Sequence, residues 1–240
     1  MRALPALLTL ALVASGGPAR PRQTGRHSQG GPGVAELTVW LEALRTGDLR
    51  LCTVAVDRLE HGGWEGDAQH LAGEVAPPPL RRGGVQEPAA LALLGDALGD
   101  PRGCMRRAAA VWLGDSTAPD ALSRLVSGLR SSNPLVREAS AHGLGLHGEG
   151  AGREPLVAAL RDGTPAVAIA AAWALGRARD PRNTSALAAA LQNADPGLRR
   201  AAAEALEELE SAEARAALRA ALGDSDTEVR RAAARGLGRN

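Results

Sequence analysis

Few side chains in this sequence are spaced to do chemistry. Of the five histidines, His27, His61, His70, His142 and His147, the last two are the nearest neighbours. Five residues apart, they sit roughly 140° apart around a helix and cannot share a metal ion as an i, i+4 pair can. No Gly-rich phosphate loop, serine-nucleophile motif or pair of carboxylates stands out, so the sequence predicts no catalytic residue, no metal and no cofactor. Asn183-Thr184-Ser185 matches a glycosylation acceptor, a triplet that chance often produces. The two cysteines, Cys52 and Cys104, are read either as small hydrophobes or as one disulfide in an oxidising compartment; spacing alone does not bring their Cα atoms into range. The remaining signal is apolar: "PAVAIAAAWALG", Pro165 to Gly176, carries no charge in a chain that is 23% charged.

What positions such a stretch follows from composition. Of the 240 residues 45% are apolar, yet there is no Tyr or Phe and only 4 Trp. A core of that size must then be packed from Ala and Leu, the strongest apolar helix formers, and β-branched strand signals are scarce. The expected fold is all-α. Charge is balanced at 28 basic and 27 acidic side chains, the basic ones all Arg, and a net charge of +1 gives no reason to expect nucleic acid or acidic lipid as the main partner.

Residues 1–19, "MRALPALLTLALVASGGPA", have a charged start, an apolar run too short to cross a bilayer comfortably, and a small-residue exit with cleavage expected after Gly16 or Ala19. This is the layout of a signal peptide; an uncleaved N-terminal anchor is the alternative. Export is therefore expected, to a periplasmic, secreted or cell-surface location, and no later stretch is long enough to span a membrane. Residues 20–33 read as a disordered linker rich in Gly, Pro and Arg. Residues 34–60 read as a helical hairpin and possible N-terminal cap. Its first helix, about Val34 to Arg45, aligns Leu37, Trp40, Leu41 and Leu44; its second, Asp48 to Glu60, aligns Leu49, Cys52, Val56 and Leu59. Residues 61–86 form a Pro/Gly-rich loop.

From residue 87 to 240 the chain repeats every 31 residues. Leu113, Leu144, Leu175, Leu206 and Leu237 make one column, four of them followed by a Gly expected to end a helix. Ala108, Ala139, Ala170, Ala201 and Ala232 make another, and a companion helix repeats as Leu94, Leu125, Leu156, Leu187 and Leu218. Asn133-Pro134, Thr164-Pro165 and Asp195-Pro196 pair a capping residue with a proline at the first helical position. Two helices per 31-residue unit predict an α-solenoid. "NPLVREASAHGLG", "DPGLRRAAAEALE" and "DTEVRRAAARGLG" resemble HEAT repeats of the short type also found in phycobilisome lyases. The resemblance implies a right-handed superhelix of about five helix pairs, concave on the side of the second helix of each pair. It also implies that Arg106, Arg137, Arg199 and Arg230 form a ladder to turn Asp or backbone groups of a neighbouring unit. It implies no chemistry: related hydroxylases need His-Glu pairs, whereas no His here precedes Glu, and nothing marks a chromophore pocket.

In the first unit's second helix the columns at 105, 108, 109 and 112 face the core, so those at 104, 107 and 111 must face outward. In the third unit these outward positions carry Ala166, Ile169 and Trp173, and Ala168 stands where the other units have the ladder Arg. A fully exposed Trp173 beside Ile169, flanked by His142 and Glu138 and by Arg200 and Glu204, has the make-up of a partner-binding patch. Two other accounts stay open: the Pro-rich loop or N-terminal hairpin covers the patch, or the phase is off by one. The reading is a non-catalytic scaffold that binds a protein or peptide, expected to be an envelope protein, on its concave face. The alternative is an accessory subunit or lyase-like enzyme relative acting on a modified protein. Nucleic acid is disfavoured because Glu138 and Ile169 interrupt the outward arginines Arg107, Arg200 and Arg231.

Overall fold

Helix follows helix from the first described residues to the last in a computed structural model that describes residues 32–46, 84–148, 150 and 152–238. The expected signal, most of the linker, the second hairpin helix and most of the following loop lie outside them. α1 (Val34–Thr46) buries Leu37, Trp40, Leu41 and Leu44, the stripe that its periodicity predicts. Five pairs follow: α2 (Pro88–Ala97) with α3 (Gly103–Asp115), α4 (Pro119–Gly128) with α5 (Pro134–His147), α6 (Arg153–Ala159) with α7 (Pro165–Arg177), α8 (Thr184–Ala190) with α9 (Pro196–Glu207), and α10 (Ala212–Ala221) with α11 (Thr227–Gly238). No strand occurs among the described residues. The fold is an α-solenoid.

In three of the five pairs a side chain takes over the first unpaired N–H groups of the second helix, whereas Arg102 before α3 makes no such cap. Asn133 Oδ1 accepts from Leu135 N at 3.0 Å, Asp195 Oδ1 from Leu198 N at 3.1 Å, and Asp226 Oδ1 from Glu228 N at 2.8 Å. Thr164 departs from the expected pattern. Its hydroxyl makes no cap and instead accepts from the Arg137 guanidinium at 3.3 Å.

Second helices pack extensively on one another, α3 on α5, α5 on α7, α7 on α9 and α9 on α11, whereas first helices touch their like sparingly. An array bends toward the side on which its elements lie closer, so the second helices line the concave side. Glycine sets that closeness. A Cβ at Gly114 would fall 2.6 Å from Gly143 O, one at Gly145 2.8 Å from Ala174 Cα, and one at Gly176 2.7 Å from Ala205 Cα. These glycines lie in the last helical turn, at the C-terminal ends where they were expected, but without the positive φ of a helix-ending glycine.

The arginine ladder ties turns together on the same stack. Arg137 donates to the carbonyls of Ser131 and Ser132 in its own turn and to both Asp162 oxygens of the next, at 2.7 and 2.9 Å. Arg199 repeats this with Asn193, Ala194 and Asp224 at 2.8 and 2.9 Å. Arg106 bonds the carbonyls of Asp100 and Pro101, and Ser131 stands where a next-turn Asp would be. The guanidinium hydrogen bonds hold the Asp162 and Asp224 carboxyls below the usual carboxylate range.

At the first repeat two of the three outward positions turn inward: Cys104 and Val111 are buried, contrary to the predicted phase, while Arg107 stays exposed. The N-terminal part of the chain gathers here. α1 packs on α2 and α3, and the Trp40 and Trp112 rings meet edge to face at 4.4 Å. Cys104 is disulfide-bonded, which corrects its reading as a plain small hydrophobe. Cys52 lies outside the described residues.

Candidate binding groove

Along the concave side α5, α7 and α9 leave an open groove of about 1030 Å³ between their exposed faces. All six residues singled out from the sequence line it: Glu138 and His142 from α5, Ile169 and Trp173 from α7, Arg200 and Glu204 from α9. They share this groove because each lies on the face opposite its helix's core column, and consecutive second helices lie side by side. The floor is small and apolar, with Ala166, Ala170, Ala201 and Ala205. A second, smaller opening of about 400 Å³ shares Arg107, Glu138, His142 and Ala170 with the first and adds Leu135, which is 40% exposed.

Trp173 is not fully exposed, and this corrects the sequence reading. It is partly buried against the core, and its indole stacks on the His142 imidazole with centroids 4.4 Å apart and planes 13° from parallel. The cause lies on the neighbouring helix, where a Cβ at Gly145 would fall 2.5 Å from the indole Cζ3. The missing side chain opens a notch that the ring fills. Ile169 behaves alike, its Cδ1 lying 3.2 Å from where a Cβ of Gly197 would be. Arg177 holds its guanidinium carbon 5.4 Å from the Trp173 ring centroid, within cation–π range. The ring is thus braced by His142 and Arg177 and still lines the opening.

The rim is charged and largely paired. Arg179 meets Glu208 at 2.7 Å and Arg235 meets Glu204 at 3.1 Å, while Arg200 stands 3.9 Å from the same Glu204. The buried Ala168 takes the ladder position of α7, and the turn position opposite it is Asn193, not Asp. Arg107 was read from sequence as outward but not as part of the patch, and Leu135 and Arg177 were not singled out, although Leu135 falls in the outward column of Cys104. The alternative in which the N-terminal hairpin covers the patch is not met by α1, which packs on α2 and α3; the hairpin's second helix and most of the Pro-rich loop lie outside the described residues.

Asn183 is 1% exposed and its Nδ2 donates to Leu175 O at 2.9 Å, so the Asn183-Thr184-Ser185 triplet presents no accessible glycan acceptor. Among the described residues no cluster of three or more His, Cys, Asp or Glu is placed to hold a metal ion. Among them, too, no helix is long and apolar enough to cross a membrane.

A family model described as HEAT repeats matches residues 80–145, 122–207 and 184–239. This chain belongs to the HEAT-repeat family. Its similarity to solved structures is a likeness of fold. The complex of CpcE and CpcF of phycocyanin lyase from Nostoc sp. PCC7120 matches this HEAT-repeat chain with a TM-score of 0.56 at 20% identity, over 62% of this chain and 99% of that one. Human deoxyhypusine hydroxylase in complex with glycerol gives a TM-score of 0.45 at 22% identity, over 89% of this chain and 80% of that one. A designed armadillo repeat protein in complex with the peptide (KR)4 gives 0.45 at 18% identity, over 85% and 100%. None of the curated proteins matches the chain in sequence.

Proposed function

We propose that this HEAT-repeat chain is an exported, non-catalytic scaffold that binds a protein or peptide along its concave groove, an envelope protein being the expected partner class. The observation that supports this most is the convergence of Glu138, His142, Ile169, Trp173, Arg200 and Glu204 on one open groove of about 1030 Å³ with an apolar floor and a rim of both charges. Such a surface suits an extended segment that sets an apolar side chain beside the indole and pairs its own charges with the rim. The braced ring adds to the reading: an aromatic side chain already held in place loses little freedom when a partner docks on it.

The test is a photo-crosslinking residue placed at Ala166 on the groove floor or at exposed Ala216 on α10, with the adduct partner then purified and titrated. A partner caught at 166 and not at 216, whose affinity falls at least about tenfold on Trp173→Ala while the helical spectrum is kept, is the expected result. Identical adducts at both positions, or unchanged affinity in the variant, would remove the groove as the binding site.

A further inference from the structure

Glu138, Ile169 and Arg200 recur at the 31-residue period on α5, α7 and α9, so they form one row along the groove. A second row, His142, Trp173 and Glu204, runs beside it. The apolar pair Ile169 and Trp173 is therefore flanked by charges of opposite sign. Other rim charges are engaged within the chain. Arg179 holds Glu208 at 2.7 Å, Arg235 holds Glu204 at 3.1 Å, and Arg177 lays its guanidinium over the Trp173 ring. Glu138 and Arg200 differ from these. Among the described residues Glu138 makes no ion pair, even with Arg107, its neighbour in the row on α3. The Arg200 side chain is 51% exposed and stands 3.9 Å from Glu204, at the same oxygen that Arg235 already holds more closely. One carboxylate and one guanidinium thus face the groove with bonding capacity to spare, on opposite sides of the apolar pair.

We propose, resting on the reading of the groove as a peptide-binding site, that its partner segment is extended and charge-asymmetric. A basic residue lies over Glu138, an apolar one beside Ile169 and Trp173, and a carboxylate on Arg200. Neighbouring helix axes lie about 8–10 Å apart and an extended chain advances about 3.3 Å per residue, so each helix step takes up about three residues. The partner's two charges then fall about three positions to either side of its apolar residue. The planar guanidinium of Arg200 presents a fork that matches the two oxygens of a carboxylate. A uniformly acidic segment would set a like charge on Glu138. A uniformly basic one would set a like charge on Arg200, and to use Glu204 or Glu208 it would have to displace Arg235 or Arg179.

The experiment titrates capped synthetic peptides, to about 2 mM, into the full chain labelled with nitrogen-15. The peptides are Lys-Ser-Ser-Leu-Ser-Ser-Glu, its reverse order Glu-Ser-Ser-Leu-Ser-Ser-Lys, and versions with lysine or glutamate at both ends. One of the two mixed-charge orders is expected to bind about tenfold more tightly than the other three peptides, because each of those gains a repulsion where it loses a pairing. Exchanging the chain's own charges, Glu138→Arg with Arg200→Glu, is expected to transfer the preference to the opposite order, with the helical spectrum kept. Binding that Trp173→Ala weakens but that ignores charge order, or that is tightest for a like-charged peptide, would overturn the proposal and leave the groove standing. A charge-order preference that the exchange does not invert, or no binding by any of the four peptides, would overturn it as well. Binding unmoved by Trp173→Ala would remove the groove itself.

Discussion

Between α7 and α9 the helices are drawn together at Gly176, whose missing Cβ lets the Ala205 backbone lie within contact distance; among the described residues no ladder guanidinium ties the turns that open them, because the ladder positions hold Ala168 and Asn193, and the Arg179–Glu208 pair lies at the opposite, C-terminal ends. Between α9 and α11 the position equivalent to Gly176 is Glu207, and the turns are tied by Arg199 on both oxygens of Asp224. The junction between α5 and α7 has both devices, Gly145 and Arg137 with Asp162. One packing geometry is thus held by backbone contact at one junction and by a charge-assisted bond at the next. Either suffices for stacking. The junction that dispenses with the ladder pair is the one that carries the apolar floor of the groove.

Gly176→Ala strikes the junction that depends on close approach, and should cost about 1–3 kcal/mol despite alanine's better helix propensity, because the new methyl meets backbone. Chemical denaturation read by circular dichroism measures it; an unchanged midpoint would show that the contact is not what holds α7 to α9. Asp224→Ala strikes the junction that depends on charge, and should lower the melting temperature by several degrees by stranding the Arg199 guanidinium. The same pair fixes a pH dependence. Asp162 and Asp224 titrate lower in the folded chain than unfolded, so their contribution is complete above the ordinary carboxylate value of 3.8 and is lost as pH falls below it through the folded values. Replacing both with Asn should flatten the stability profile on that acid side, which thermal melts across the range would record.

Trp173→Ala belongs to the doubly held junction between α5 and α7, and its ring is only partly buried. The expected loss is about 1–2 kcal/mol, below the value for a fully buried tryptophan, and a loss near zero would mean that the Gly145 notch contributes no packing. The smallest effect is the most discriminating. Installing the absent ladder as Ala168→Arg with Asn193→Asp should be more stable than the sum of the two single changes, since the single arginine would lack its carboxylate; a double-mutant cycle showing no coupling would break the comparison.

The repeat was legible because its columns record contacts made identically at each stacking step: Leu, Ala and Pro recur at a fixed spacing whether or not the neighbour is known. The groove was legible in membership for the same reason, since a residue opposite the core column must reach one shared side. How far Trp173 projects was not legible. That depends on Gly145, which is 28 residues earlier on another helix and falls in a column where glycine had a simpler explanation as a helix end. Likewise Cys104 and Val111 are buried at the repeat on which α1 packs, and the period gives no access to chain outside the repeat.

The stack of His142 on Trp173 gives the groove an optical readout of its own. Trp40 and Trp112 are sealed at 1% and 0% exposure, so among the described tryptophans only Trp173 borders solvent where a ligand would sit. Trp64 lies outside the described residues, so a change in the long-wavelength edge of the intrinsic emission that a candidate ligand causes and Trp173→Ala abolishes reports occupancy of that cleft, with no dye attached.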